Sequence, residues 1–193
     1  MEVEGVVIAA GKSLRMSPNH KLLLDLDGRT VIWRCIESLY EFCSRIIVVT
    51  GHNPQLITQS IGYIEKVEFV HNEGHEDGMF SSIKTGLLAA RGDRIFCMPA
   101  DCPFVGREVF LKLLSVWDDI VIPSFCGVQG HPVLLSMEEA KRIREDLTFV
   151  SLDEYIGGNR FSVVQVDDPG VLWDIDTPEN YVAALRYLRK IGG

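Results

Sequence analysis

The sequence predicts an α/β protein built on a largely parallel sheet with helices on both faces. Short apolar runs alternate with longer segments of helical period, the pattern of successive strand–helix units. The first run, residues 3–10, is almost continuously apolar, as suits a strand covered on both faces rather than one. Gly, Pro and Asn punctuate the junctions, where chain reversals need them.

Taken in order, residues 3–10 form a first strand, and 30–42 (TVIWRCIESLYEF) a helix by their apolar period. Residues 45–50 (RIIVVT) are a second strand stopped by Gly51. Asn53 and Pro54 then offer an N-cap and a proline at the first helical position. Residues 67–70 form a third strand, 79–91 a helix, and 94–98 a fourth strand ended by Pro99. Residues 107–117 are helical, while 119–123 and 133–135 are strands. Ser136 and Glu139 read as a capping box for the next helix. Residues 161–166 alternate as a strand, and Thr177-Pro178 opens the last helix. No repeat, low-complexity stretch or linker interrupts the pattern, so residues 1–193 are expected to form a single domain.

Composition removes several function classes. With 19 basic against 27 acidic residues the net charge is −8, the wrong sign for a nucleic-acid surface. No apolar run reaches the ~20 residues of a membrane span. The opening Met1-Glu2-Val3-Glu4 lacks the basic segment of a signal peptide. Five scattered cysteines, an odd number without a CxxC pair, fit a reduced, cytoplasmic protein.

In a parallel α/β sheet ligands bind beyond the carboxyl ends of the strands, so the residues following each strand carry the functional signal. Gly11-Lys12-Ser13 follows the first strand but is no P-loop. The only upstream glycine, Gly5, stands before the apolar strand itself, and a P-loop needs a glycine-rich loop there. Small residues at Ala9, Ala10 and Gly11 still let backbone amides approach a polyphosphate. Lys12, Arg15 and Lys21 supply cations to neutralise it; a solvated loop is the alternative. His71, Glu73, His75, Glu76 and Asp77 contain metal-ligand types, yet Gly74 and Gly78 break any helix that would align them. Residues 78–82 read better as a helix start whose amides and hydroxyls contact a base or ribose, or whose serines simply cap it. Asp101 lies between two prolines after the fourth strand. It is either a turn residue or a carboxylate for Mg²⁺, which takes few protein carboxylates plus phosphate oxygens and water. Near the end, Thr177 or Asp176 serves as an N-cap; Asp174 has no such local task and is the natural second carboxylate. Gly130-His131-Pro132 precedes another apolar run, its histidine either meeting an acceptor or serving structure.

Five motifs in order, IAAGKSLRM with Lys21, GMFSSIKTGL, PADCPFV, GHPVLL and DIDTPENY, resemble the MobA-like nucleotidyltransferases, and within them the molybdenum cofactor cytidylyltransferases. The resemblance spans essentially the whole chain. It departs at Ser17, where the family has glycine, at the one-residue longer 18–20 segment, and at Gln129, where a basic residue is frequent. It implies a Rossmann-like three-layer nucleotidyltransferase fold and a Mg²⁺-dependent transfer of a nucleoside monophosphate to a phosphorylated acceptor. By this resemblance Ala9, Ala10, Gly11, Lys12, Ser13, Arg15 and Lys21 hold the triphosphate. Asn72, Gly78, Met79, Ser81 and Ser82 face base and ribose, and Asp101 with Asp174 binds Mg²⁺. Gly130, His131 and Pro132 lie toward the acceptor, while Arg15, Lys21 and Asp101 carry catalysis. Ala9-Ala10-Gly11, where guanylyl-transferring relatives more often have Ala-Gly-Gly, implies CTP. The implied acceptor is molybdopterin, with transient docking to the molybdoenzyme that receives the product. Two alternatives stand beside this: a nucleotidyltransferase for a sugar phosphate or other small phosphorylated alcohol, and a nucleotide-binding protein without turnover.

Overall fold

The computed structural model describes residues 1–13 and 20–191. The chain runs β1 (Val3–Ala9), α1 (Val31–Tyr40), β2 (Arg45–Thr50), α2 (Pro54–Ile61), β3 (Val67–His71), α3 (Met79–Ala89) and β4 (Arg94–Pro99). It continues with α4 (Arg107–Leu114), β5 (Ile120–Phe125), β6 (Val128–Gln129), β7 (Val133–Ser136), α5 (Met137–Glu145), α6 (Leu152–Gly157), β8 (Ser162–Gln165) and α7 (Pro178–Ile191). Strand order is β3-β2-β1-β4-β7-β5-β6, with β8 on the other side of β5.

Alternation along the central strands builds two apolar layers. Val7 and Ala9 of β1, Ile46 and Val48 of β2, and Phe96 and Met98 of β4 face α1, α2, α4 and α7. Their neighbours Val6, Ile8, Ile47, Val49, Ile95 and Cys97 face α3, α5 and α6. Covered on both sides, these strands are the near-continuous apolar runs of the sequence. Helix α3 reaches the sheet closely because Gly86 has no side chain: a Cβ there would lie 2.3 Å from Val6 Cγ1. Four pairings, β1–β2, β1–β4, β2–β3 and β5–β8, are parallel, whereas β7 runs antiparallel to β4 and β5 and β6 antiparallel to β5.

The reversal comes from a two-residue hairpin. Cys126 (φ 50°) and Gly127 (φ 83°) both take left-handed backbone, the geometry that lets a tight turn follow strand twist. After β6 the chain bends at Gly130-His131-Pro132, whose His131–Pro132 peptide is cis. Two expectations need correction. Asn53 does not cap α2 with its side chain, because its own backbone is left-handed (φ 51°). Ser136 accepts the Glu139 amide at 3.1 Å, but Glu139 turns its carboxylate to Tyr155 and Arg142 instead of closing a capping box. Helices 79–91 and 107–117 end earlier, at Ala89 and Leu114. Among the described residues no helix is long and apolar enough to cross a membrane.

Candidate active site

Strands β1 and β4 lie side by side and parallel, so the segments leaving their carboxyl ends emerge together. Two clefts open there. One, about 270 Å³, is lined by Ala9, Ala10, Gly11, Ser13, Lys21, His75, Gly78, Met79, Ser82 and Asp101. The other, about 380 Å³, is lined by Lys21, Met79, Phe80, Asp101, His131, Val150, Asp153, Asp174 and Asp176, among others. Lys21, Met79 and Asp101 belong to both.

The seam between the clefts is ionic. The Lys21 ammonium donates to Asp101 and, at 2.6 Å, to Asp176. Asp101 is buried, held beyond β4 by its carbonyl, which accepts the Ile175 amide at 3.1 Å. Ile175 is wholly buried, and Trp173 packs edge-on against Phe104 and at a tilt against Tyr187, with ring centroids 5.1 and 5.0 Å away. These anchors leave the alternate residues Asp174 and Asp176 on the cleft side. Burial, then the charges of Asp176 and Asp101, raise the Asp174 carboxyl above its ordinary value. Burial opposes the charge on Lys21, but Asp101 and Asp176 outweigh it and hold the ammonium above its ordinary pKa.

The cap of α7 belongs to Thr177, whose hydroxyl accepts the Asn180 amide at 3.2 Å. Asp176, one of two N-cap candidates in the sequence, is thus drawn into the site. Its two-residue spacing from Asp174 was the available signal, since alternate residues of an extended segment share a side.

The remaining predicted residues divide. Lys12 is exposed and pairs with Glu76 at 2.7 Å, and Ser13 meets His20 at 3.3 Å. Asn72 is buried and donates to both Ser81 and Ser82 at 2.9 Å, while Ser81 also donates to the Gly74 and Gly78 carbonyls. This knot fixes the turn into α3; of its three side chains only that of Ser82 reaches a cleft wall, beside Gly78. Gly130 lies against the Val171 carbonyl, which a Cβ would meet at 2.2 Å, and Pro132 continues into β7. That packing turns His131 into the larger cleft. Arg15 lies outside the described residues.

A cation fits this arrangement. Four carboxylates line the larger cleft against a single described ammonium, and the repulsion of Asp176 and Asp101 is expressed at Asp174. Among the described residues no three His, Cys, Asp or Glu side chains are grouped so as to hold a metal ion by themselves. Oxygen donors in this open array suit a hard divalent ion that keeps water and phosphate ligands, rather than a structural metal.

A family model described as the MobA-like NTP transferase domain matches residues 5–160. The chain belongs to that family. Molybdenum cofactor cytidylyltransferase from Escherichia coli (strain K12) is 26% identical over 184 residues, covering 94% of this chain and 95% of the relative. Molybdenum cofactor guanylyltransferase from Shewanella sp. (strain MR-4) is 23% identical over 191 residues, covering 93% of each. A solved nucleotidyl transferase from Methanothermobacter thermautotroptrophicus superposes with a TM-score of 0.85 at 22% identity, covering 98% of this chain and 99% of that one. This MobA-like chain is accordingly an enzyme of the nucleotidyltransferase class, with the mostly parallel α/β sheet of that fold.

Proposed function

We propose that this MobA-like enzyme moves CMP from CTP onto the phosphate of a molybdopterin acceptor and releases pyrophosphate. The observation that carries the reading is the pair of clefts meeting at Lys21 and Asp101. A transferase must hold donor and acceptor on either side of the phosphorus that changes partners, and that seam offers such a place. Ala9, Ala10, Gly11, Lys12, Ser13, Arg15 and Lys21 take the triphosphate. Gly78, Met79 and Ser82 border base and ribose, with Asn72 and Ser81 holding that turn in shape. The acceptor enters the larger cleft beside His131. The name of the Escherichia coli relative and the Ala9-Ala10-Gly11 sequence support CTP over GTP.

Attack is in line: an acceptor phosphate oxygen forms a bond to the α-phosphorus as the bond to the pyrophosphate oxygen breaks. A phosphate monoester is already anionic near neutral pH, so no general base is needed. Catalysis rests on positioning and on charge. Lys21 and Arg15 neutralise the departing pyrophosphate. Asp101, with Asp174 or Asp176 as second carboxylate, would hold Mg²⁺, which when bound would supply positive charge to the phosphate oxygens. Lys21 shares Asp101 and Asp176, so the ammonium and the ion would draw on the same oxygens.

The test is pyrophosphate release from CTP or GTP with molybdopterin, a sugar phosphate or no acceptor. Release that requires CTP and molybdopterin together is expected. Release with GTP alone corrects the base, and release with the sugar phosphate alone corrects the acceptor. No release with any pair sinks the reading.

A further inference from the structure

The smaller cleft has in its wall an imidazole that the phosphate chemistry leaves unused: His75, on the turn between β3 and α3. The end of β2 is shaped around it. Gly51 has no side chain, and a Cβ there would lie 2.6 Å from His75 Cβ and 2.9 Å from Ala10 Cβ, so Gly51 lets both close in. His75 Nδ1 lies 3.2 Å from the Asn72 carbonyl. A carbonyl only accepts, so Nδ1 carries the proton and the neutral ring keeps Nε2 as an acceptor. Asn72 is itself tied to Ser81 and Ser82, so a rigid turn sets this tautomer. Nε2 has no hydrogen-bond partner among the described residues and, unlike the sealed nitrogens of His20 and His131, it reaches solvent. The His52 and His71 rings, with centroids 6.5 and 6.3 Å away, make no hydrogen bond to it. Other polar side chains of this cleft are engaged: Lys21 with Asp101, Ser13 with His20, Ser82 with Asn72. Elsewhere the wall leaves room. A Cβ at Gly11 or Gly78 would meet nothing within 4 Å, and Met79 stands 59% exposed.

An open slot with a fixed acceptor in its wall suits a small flat ring that bears an amine. We propose that His75 Nε2 accepts the 4-amino group of the donor's cytosine and so selects a 4-amino over a 4-oxo pyrimidine nucleotide. The inference rests on the CTP reading above and adds the group that enforces it against UTP. A uracil ring turns its 4-oxo oxygen to the same nitrogen, lone pair against lone pair. Moving the proton to Nε2 relieves that clash only by breaking the bond to Asn72, so the held tautomer is the source of the discrimination. His75 touches the base and not the reacting phosphorus, which makes it a specificity residue.

CTP, UTP, GTP and inorganic triphosphate, each titrated with Mg²⁺ into the full chain and followed by thermal stabilisation, are the probes. None of these measurements needs turnover. The wild type is expected to bind CTP about 10-fold more tightly than UTP. His75→Ala should bring CTP down to the UTP level and leave UTP nearly unchanged. His75→Gln should instead raise UTP toward CTP, because its amide turns to donate as readily as to accept. Inorganic triphosphate has no base and should stabilise all three proteins alike. Equal binding of CTP and UTP by the wild type, or the same CTP-to-UTP ratio in the variants, overturns the assignment. So does a parallel fall of CTP and UTP in His75→Ala, or weaker binding of inorganic triphosphate by either variant, since His75 would then serve the ribose or phosphates. GTP separates this inference from the reading beneath it. A wild type that prefers GTP, with a CTP-to-UTP ratio that depends on His75, overturns the CTP reading alone. Preference for CTP over GTP with an unaltered ratio overturns the role of His75 alone.

Discussion

The two ends of the sheet each hold a buried carboxylate beside a cation, and they are balanced in opposite ways. At the amino end, Glu4 of β1 accepts Arg45 at 2.9 Å and the Arg91 amide at 2.6 Å. Arg45 in turn reaches Glu68 and the Ala89 carbonyl, each at 2.6 Å. Burial alone would raise the Glu4 carboxyl, but Arg45 and the Arg91 and Gly92 amides win and hold it below its ordinary value. At the carboxyl end Lys21 is shared by Asp101 and Asp176, and Asp174 is pushed upward. A satisfied buried charge fastens elements together; an under-compensated cluster in a cleft is poised for a charge from outside. The difference separates a structural ion pair from a working one.

The strongest way to break this contrast is at Asp101. Asp101→Asn should lower pyrophosphate release about 100- to 1000-fold, the usual cost of one electrostatic contact in a transition state, with an unaltered circular dichroism spectrum. A variant keeping a tenth of its activity would remove Asp101 from the chemistry. Lys21→Met comes next. Its loss should lower activity about 100-fold and, taking the ammonium away from Asp101 and Asp176, stability by about 1–3 kcal/mol after allowance for the partial exposure of Asp176. Added Mg²⁺ should then stabilise the variant more than the wild type, since ion and ammonium use the same oxygens. Equal stabilisation would mean that they do not compete. At the other end Glu4→Gln should cost about 1–3 kcal/mol, a fall of about 2–4 °C per kcal/mol in melting temperature, while kcat stays at the wild-type value.

Much of this contrast could be read in the sequence, for reasons that differ by element. β1, β2 and β4 announce themselves because burial on both faces demands unbroken apolar runs, and that places Asp101 and the Gly11 loop at one edge. β6 is two exposed residues held only by its hairpin, and α6 is six residues with three apolar positions; neither builds a periodic signal. Asp153 on so short a helix looks like any surface acid. Asp176 was hidden by its proximity to a proline-led helix start, where a cap explains an aspartate equally well. Only the packing of Trp173 and Ile175 decides which residue faces the cleft. Asn72 and Ser81 illustrate the converse: polar residues at a site's edge, spent on shaping the loop.

The smallest expected effect gives the finest comparison. Asp174→Asn removes a charge that its neighbours oppose, so the chain without added metal should become slightly more stable, the gain kept small by solvent screening at this exposed position, even as Mg²⁺ stabilises it less. The pH dependence follows from the signs. A raised folded pKa makes the Asp174 charge a cost that sets in as pH climbs past its ordinary 3.8 and is complete above the folded value. The variant's advantage should therefore shrink as pH falls from 7 toward 4. Glu4 behaves in the reverse sense. Its depressed folded pKa makes its stabilisation fully present above the ordinary 4.5 and lost as pH drops through the folded value. From pH 7 down to 4.5 the Glu4→Gln deficit should stay level, while the Asp174→Asn gain is lost as pH falls through the raised folded value toward 3.8. Melting curves of both variants and the wild type across that range provide the check. Parallel behaviour of the two would mean that the carboxyl-end cluster is as well compensated as the amino-end pair, and the case for a bound cation at Asp174 would fall with it.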